Sequence, residues 1–569
     1  MKINSFHIAF ICLFLVSCSS TQLTNEEAPE VVGVIGQTAG LATAHPVASE
    51  VGLTILKEGG NAYDAAIAVQ FALAVVYPRA GNIGGGGVLV FRLSSGELGS
   101  LDFREKAPGM AHRDMYLDPQ GDVIEGLSKA GALASGVPGS VGGMFALHEK
   151  LGSKPWSDLL APAIALARSG VVLTTMEADV MNRYKGEIEA QNSYSPAFIH
   201  HVAWETGDTL KQPELASTLE SIQRSGRDGF YKGDVAAKIV AEMQKQGGLI
   251  SLEDLENYNA VWREPLIGHY KGHKIISMPP PSSGGVALVQ LFEGSKAYPL
   301  DEYGHNAAKT IHIMTELERR VYADRATYLG DPDFFDVPLQ KLLNPAYLKE
   351  RFSSIDLSRN TPSKEIKEGK VDIIESIETT HFSIVDAFGN TVSLTTTLNG
   401  NFGSKVVVEG AGFFLNNEMD DFSVKQGIPN MFGLIGYEAN EIAPGKRMLS
   451  SMTPTIVEKE GRLFMVIGTP GGSTIITSVY QTILNVIDHD MTLQGAINAK
   501  KLHHQWLPDK ILVEEGAIDE GTEDILIQMG HQLDNVRSIG RLEGILIRAD
   551  GSLEAAADHT RGDDTALAY

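Results

Sequence analysis

Two threonines, Thr379 and Thr380, stand where a long polar stretch ends and a hairpin pattern begins. Ahead of them runs SRNTPSKEIKEGKVDIIESIE, residues 358–378. Behind them Phe382, Ile384 and Val385 precede a turn over 386–390, then Val392 and Leu394. β-Propensity alone accounts for threonine at the start of a strand. The other account is chemical. If the chain is cut between Glu378 and Thr379, the new α-amino group has a reference pKa of about 8, so roughly a tenth of it is neutral at pH 7. That amine can take the hydroxyl proton of its own residue while the oxygen attacks a carbonyl, which unites nucleophile and base in one residue. An attacked carbonyl needs donors for its developing charge, and Thr469-Pro470-Gly471-Gly472-Ser473 offers consecutive N–H groups unobstructed by Cβ atoms. Taken alone, PGGS is also an ordinary turn.

Elements able to hold such groups follow from the pattern. Apolar spacing predicts a helix over 45–57 that stops at Gly59-Gly60. A second helix is predicted over 65–76, capped by Asn61 and nearly all apolar, its length suiting a buried core helix. The glycine run 81–87 leads into a strand at 88–91. No Lys-Ser/Thr follows the run and it precedes a strand, so close backbone packing explains it better than phosphate binding. Pro279-Pro280-Pro281-Ser282-Ser283-Gly284-Gly285 reads as a rigid loop before a helix. Residues 358–378 read as a mobile linker or a surface loop. Beyond Thr379 the period changes to two, predicting strands at 381–397, 405–415 and 453–468, then a helix over 473–487. Helices, then strands, then helices imply a sheet between helical layers, with the boundary at the threonine pair.

The 569 residues are 43% hydrophobic and 21% charged, enough for more than one cooperating core unit. A net charge of −24 without clustered Lys and Arg argues against nucleic-acid binding. His503-His504 suggests a metal site, but adjacent side chains diverge on helix and strand alike, so hydrogen bonding is the expected role and no metal is assigned. At the N-terminus, one Lys, an apolar run over 8–16 and Leu15-Val16-Ser17-Cys18 fit an export signal. Small residues before Cys18 resemble the bacterial lipoprotein processing box. That implies a signal over 1–17, acylation of Cys18 and a polar tether over 18–30; a plain secretory signal is the competing reading. Cys12 leaves with the signal, so no internal disulfide is expected. Ser19 after the cysteine is, by analogy, an outer-membrane sorting cue, so the expected place is the periplasm, lipid-anchored.

Seven separated stretches decide between the two accounts of Thr379. Asp102-Phe103-Arg104-Glu105, MPPPSSGG (278–285), TTHFS (379–383), TTTLN (395–399), LNNEMDDF (415–422), LSSMTP (449–454) and GTPGGS (468–473) resemble, in order and spacing, the γ-glutamyltransferase family across 31–569. The resemblance implies an α+β fold, the four-layer αββα sandwich of N-terminal nucleophile hydrolases. It implies a precursor that cuts itself at Glu378–Thr379 into a large subunit, 31–378, and a small catalytic one, 379–569. It implies Thr379 as nucleophile, Thr397 as the hydroxyl assisting it, and Gly471 and Gly472 as oxyanion hole. Arg104, Ser450 and Ser451 then hold a substrate α-carboxylate, and Asn399, Glu418 and Asp421 its α-ammonium.

Those residue types suit a zwitterionic glutamyl head group, with a guanidinium and hydroxyls at one end and carboxylates or an amide at the other. The implied partners are glutathione or related γ-glutamyl amides as donors, and water, amino acids or peptides as acceptors; no cofactor is implied. Residues 426–437 resemble a lid loop found in some members, with Phe432 where a tyrosine is common; its ring can cover the site but donates no hydroxyl hydrogen bond. Glu418 stands where some members carry glutamine. Two rival readings remain: an acylase of the same fold acting on glutaryl or cephalosporin side chains, and an uncleaved, inactive binding protein.

Overall fold

The computed structural model describes residues 31–366 and 379–569; Cys12, Cys18 and Glu378 lie outside them. Two seven-stranded sheets organise the molecule. One runs Thr565–Ala568, Gly40–Thr43, Thr380–Val385, Thr391–Thr397, Gly86–Arg92, Leu98–Phe103, Val261–Arg263. The other runs Val34–Gly36, Leu553–Ala557, Glu543–Ile547, Arg462–Gly468, Thr455–Lys459, His273–Ser277, Leu266–Tyr270. Every neighbouring pair is antiparallel. The sheets face each other: Thr380–Val385 packs on Arg462–Gly468 and Glu543–Ile547. Val88, Val90, Ile276, Ile456, Val466 and Ile545 fill the space between, as the period-two alternation of strands requires.

Each sheet's other face carries helices. The helix Ala62–Val76 is buried along its whole length, capped by Asn61 in a reciprocal capping box with Asp64. It packs with Pro46–Lys57, Ser140–Leu151 and Trp156–Ser169 over the first sheet, burying Phe382, Ile384, Leu394 and Leu89. Gly284–Ser295, Ala308–Tyr328, Ile475–Asp488 and Leu493–Asn498 share an apolar cluster with Ile275, Val457, Met465 and Ile467 of the second. Among the described residues no helix is long and apolar enough to cross a membrane.

Three expectations change. Residues 405–415 are not a strand: Lys405, Gly410 and Gly412 take positive φ (66°, 73°, 75°) and turn the chain back, leaving one isolated bridge between Val407 and Phe414. The stretch 358–366 is docked rather than loose. Ser363 is buried, its N–H donates to Asp509 Oδ2 at 2.7 Å and the Thr361 N–H donates to Glu316 Oε1 at 2.9 Å; the rest of the expected linker lies outside the described residues. The threonine pair does not divide helices from strands, because both sheets draw strands from either side of it.

Candidate functional site

Thr379 is 5% exposed and immediately precedes a central strand of the first sheet. Alternation along Thr380–Val385 sends Phe382 and Ile384 into the helix-side core, so Thr379, like His381 and Ser383, belongs to the face turned toward the second sheet. There His381 packs against Gly468, where a Cβ would lie 2.3 Å from the imidazole Cε1. Only glycine permits that approach of nucleophile strand and loop strand. Burial pushes the imidazole down to about 3, so the ring stays neutral, hydrogen-bonded to Thr395 Oγ1 (2.9 Å) and Ser383 Oγ (3.0 Å).

Gly468 ends its strand and Thr469-Pro470 leads to Gly471 (φ 144°) and Gly472 (φ 53°), backbone that only glycine adopts without strain. A short 3₁₀ turn, Gly472–Thr474, opens directly into the helix Ile475–Asp488, and Thr474 ties it back through its N–H to Gly471 O at 3.0 Å. The positive end of the helix dipole therefore lies behind the glycines. A Cβ on Gly472 would meet the Phe432 ring at 2.5 Å. Phe432 is buried over the pocket, its carbonyl accepting from Gln505 Nε2 at 3.2 Å.

Thr397 closes the adjacent strand, and its Oγ1 accepts the Asn399 N–H at 2.8 Å. Asn399 sits at φ 76° and donates to Asn417 O at 3.0 Å. The glycine run explains how this corner is held: a Cβ on Gly85 would lie 2.0 Å from Thr397 O, and one on Gly87 2.5 Å from Thr395 O. Asn82, which the sequence did not single out, donates to Thr397 O (3.0 Å) and Thr396 Oγ1 (3.1 Å) and accepts from Gly85 N–H (3.0 Å) and Ser140 Oγ (2.6 Å).

The charged residues form one cluster rather than two separated ends. Arg104, 1% exposed, reaches Glu418 with Nη1 and Asp421 with Nη2, each at 2.5 Å, and Glu105 lies 3.3 Å from Nη1. Burial pushes Glu105 up to about 7 against the pull of Arg104, and burial likewise raises Glu418 and Asp421 despite the guanidinium. One cation thus serves three desolvated carboxyls. Ser450 and Ser451 follow Met448 and Leu449, whose carbonyls lie 3.5 Å from the Arg104 guanidinium, and are pinned to the 279–285 loop: Ser450 N–H donates to Pro281 O, and Ser283 N–H to Ser450 O, each at 2.8 Å.

One pocket collects these groups. Thr379, Thr397, Asn399 and Gly472 line it with Arg104, Glu418 and Asp421, and Ser450, Ser451 and Phe432 complete the wall; Gly471 adjoins Gly472. The cavity is about 20 Å³, room for little more than one water. Sequence reasoning passed over Glu105, Asn82 and Arg325, the last of which donates to Ser451 Oγ at 3.1 Å. Glu105 was readable from the Asp-Phe-Arg-Glu motif, whereas Arg325 carried no local signal.

His503 and His504 lie elsewhere and point apart. His503 pairs with Thr477 Oγ1 (2.8 Å) and Gln505 Oε1 (2.9 Å), while His504 accepts the Trp506 N–H (3.1 Å) and faces Asp509 (3.4 Å). Among the described residues no three His, Cys, Asp or Glu are grouped to hold a metal ion.

A buried threonine just before a strand, a glycine turn at a helix start and a buried ionic cluster meet at one pocket, the groups that an acyl-transfer site needs. The chain belongs to the gamma-glutamyltranspeptidase family, whose model matches residues 48–569. The glutathione hydrolase proenzyme of Escherichia coli (strain K12) is 45% identical over 535 residues, 93% of this chain and 91% of that one. A Helicobacter pylori gamma-glutamyltranspeptidase crystal structure aligns at TM-score 0.56 and 44% identity, covering 62% of this chain and 99% of the solved one. A cephalosporin acylase from Bacillus halodurans aligns at TM-score 0.83 and 26% identity, covering 97% and 99%.

Proposed function

We propose that this chain is a γ-glutamyltransferase and glutathione hydrolase that matures by cutting itself between Glu378 and Thr379. In maturation the Thr379 Oγ attacks the Glu378 carbonyl, the acyl group moves from nitrogen to oxygen, and water hydrolyses the ester. The freed α-amine then takes the Thr379 hydroxyl proton as Oγ attacks the γ-carbonyl of glutathione or a related amide. Gly471 and Gly472 N–H groups stabilise the oxyanion, the leaving amine departs with the proton, and water or an acceptor amine releases the glutamyl group. Arg104, Ser450 and Ser451 hold the α-carboxylate; Asn399, Glu418 and Asp421 hold the α-ammonium. Thr397 orients the nucleophile. The observation that carries this reading is the meeting of Thr379, Gly472 and the Arg104 cluster in one pocket.

The facing sheets with helices on both outer sides support a four-layer αββα sandwich of the N-terminal nucleophile type. The H. pylori chain spans a share of this chain close to that preceding Thr379, in keeping with a large and a small fragment from one precursor. The likeness to a cephalosporin acylase keeps that activity as the second reading. Its glutaryl-type substrates lack the ammonium that Glu418 and Asp421 suit. Relative kcat/KM on γ-glutamyl and glutaryl anilides decides: a γ-glutamyl preference is expected, and a glutaryl preference refutes the substrate assignment. Location in the periplasm on a Cys18 lipid anchor belongs to the same proposal, resting on the sequence. Labelled palmitate should enter the wild type and not Cys18→Ser.

A further inference from the structure

Arg325, on the helix Ala308–Tyr328, is 5% exposed, and no carboxylate among the described residues lies within ion-pair distance of it. Burying a guanidinium without an ion pair is costly, and the carboxylate that acts on Arg325 is Asp421, which lines the pocket and lies beyond ion-pair distance. Its Nε donates to Ser283 Oγ at 3.0 Å and its Nη2 to Ser451 Oγ at 3.1 Å.

The direction of these bonds matters. A guanidinium only donates, so both hydroxyl oxygens must accept from it. Ser283 spends its proton on Ser450 O at 2.7 Å. Ser451 has no acceptor for its own among the described residues, and it lines the pocket. Ser450 is in the same position, its Oγ accepting the Met452 N–H at 3.1 Å. Two hydroxyl protons are therefore offered to the pocket that Arg104 also lines. Arg104 itself is shared among three carboxyls, so only part of its charge is available to an incoming carboxylate.

We infer that Arg325 is a positioning residue for the substrate α-carboxylate: it fixes the Ser451 hydroxyl as a donor into the pocket and supplies, from behind the serines, the positive charge that the Arg104 cluster lacks. This rests on the γ-glutamyl reading above. Arg325 touches no reacting atom, so its loss weakens binding of the carboxylate and leaves the chemistry of Thr379 in place.

The test compares L-γ-glutamyl anilide with 4-aminobutanoyl anilide, the same substrate without its α-carboxylate, on mature wild type, Arg325→Met and Arg325→Lys, with rates counted per cleaved chain. Arg325→Met should raise KM for the γ-glutamyl substrate by about tenfold to a hundredfold, the range for one charge-assisted hydrogen bond. kcat should change little, the aminobutanoyl substrate should be unaffected, and lysine should restore most of the loss. An equal loss on both substrates, or an unchanged γ-glutamyl KM, overturns the inference. Should the Met variant fail to fold or mature, a cycle of Arg325→Lys with Ser451→Ala decides. Lysine must then cost less KM when Ser451 is absent, and equal costs overturn the inference. A wild type with no preference for the γ-glutamyl anilide would sink the functional reading and the inference together, whereas failure in the variants alone sinks only the inference.

Discussion

Replacing Arg104 by methionine removes the guanidinium that pairs with Glu418 and Asp421, two contacts of 2.5 Å, and with Glu105 at 3.3 Å. Burial already raises all three carboxyls, Glu105 to about 7, and Arg104 is the main force opposing that rise. Without it they rise further. A carboxyl whose folded pKa exceeds its unfolded value of about 4 holds a proton that the unfolded chain has released, so stability falls as pH rises. Each additional proton retained costs about 1.4 kcal/mol per pH unit, hence up to about 4 kcal/mol between pH 5 and pH 8. That agrees with the roughly 3–5 kcal/mol expected from leaving a buried charge unpaired. Guanidinium denaturation of both proteins at pH 5.0, 6.5 and 8.0, followed by tryptophan fluorescence, measures it. The deficit of Arg104→Met should be small at pH 5.0 and widen by several kcal/mol at pH 8.0. A deficit independent of pH would refute the picture of three desolvated carboxyls sharing one cation.

Three further outcomes are expected. Gly472→Ala puts a Cβ 2.5 Å from the Phe432 ring at φ 53° and should lower kcat on the order of a hundredfold, the effect of an ångström's misplacement; adding Phe432→Ala should recover part of that in the same steady-state assay. Asn82→Ala removes the buried amide that bonds Thr397 O, Thr396 Oγ1 and Gly85 N–H and should cost about 3 kcal/mol in chemical denaturation and slow the appearance of cleaved fragments on a gel. His503 is pushed down to about 4 by burial, so the unfolded chain binds a proton below its reference pKa of about 6.5 that the native state refuses, and stability is lost as pH falls. Between pH 7.5 and 5.5 that loss is about 1.4 kcal/mol, and the Gln variant should show a drop smaller by that amount, whatever its stability at pH 7.5.

What the sequence disclosed and what it hid divide along physical lines. The Asn61 cap, the apolar helix behind it and the Thr391–Thr397 hairpin partner are local signals, and all form as read. The glycine run was legible as close packing, and Gly85 does lie against Thr397 O. The 405–415 segment misled because its runs of valine (406–408) and phenylalanine (413–414) have high β-propensity, while three left-handed residues turn it back. The docking of Ser363 depends on Asp509, 146 positions away, which no local pattern encodes. At the site, the motif residues were identifiable, but their arrangement was not. Nothing in Glu418 or Asp421 told that both pair with Arg104. Nor did Arg325, one of the three arginines inside a long helix, signal that it stands behind Ser451.

The central claim is that Thr379 becomes a chain terminus and a nucleophile. Denaturing electrophoresis with N-terminal sequencing of purified wild type beside Thr379→Ala tests it most directly. Two wild-type fragments are expected, the smaller beginning Thr-Thr-His-Phe-Ser, and a single intact chain for the variant. A wild-type chain still whole after long incubation, or cleavage at this bond that persists in Thr379→Ala, would contradict it.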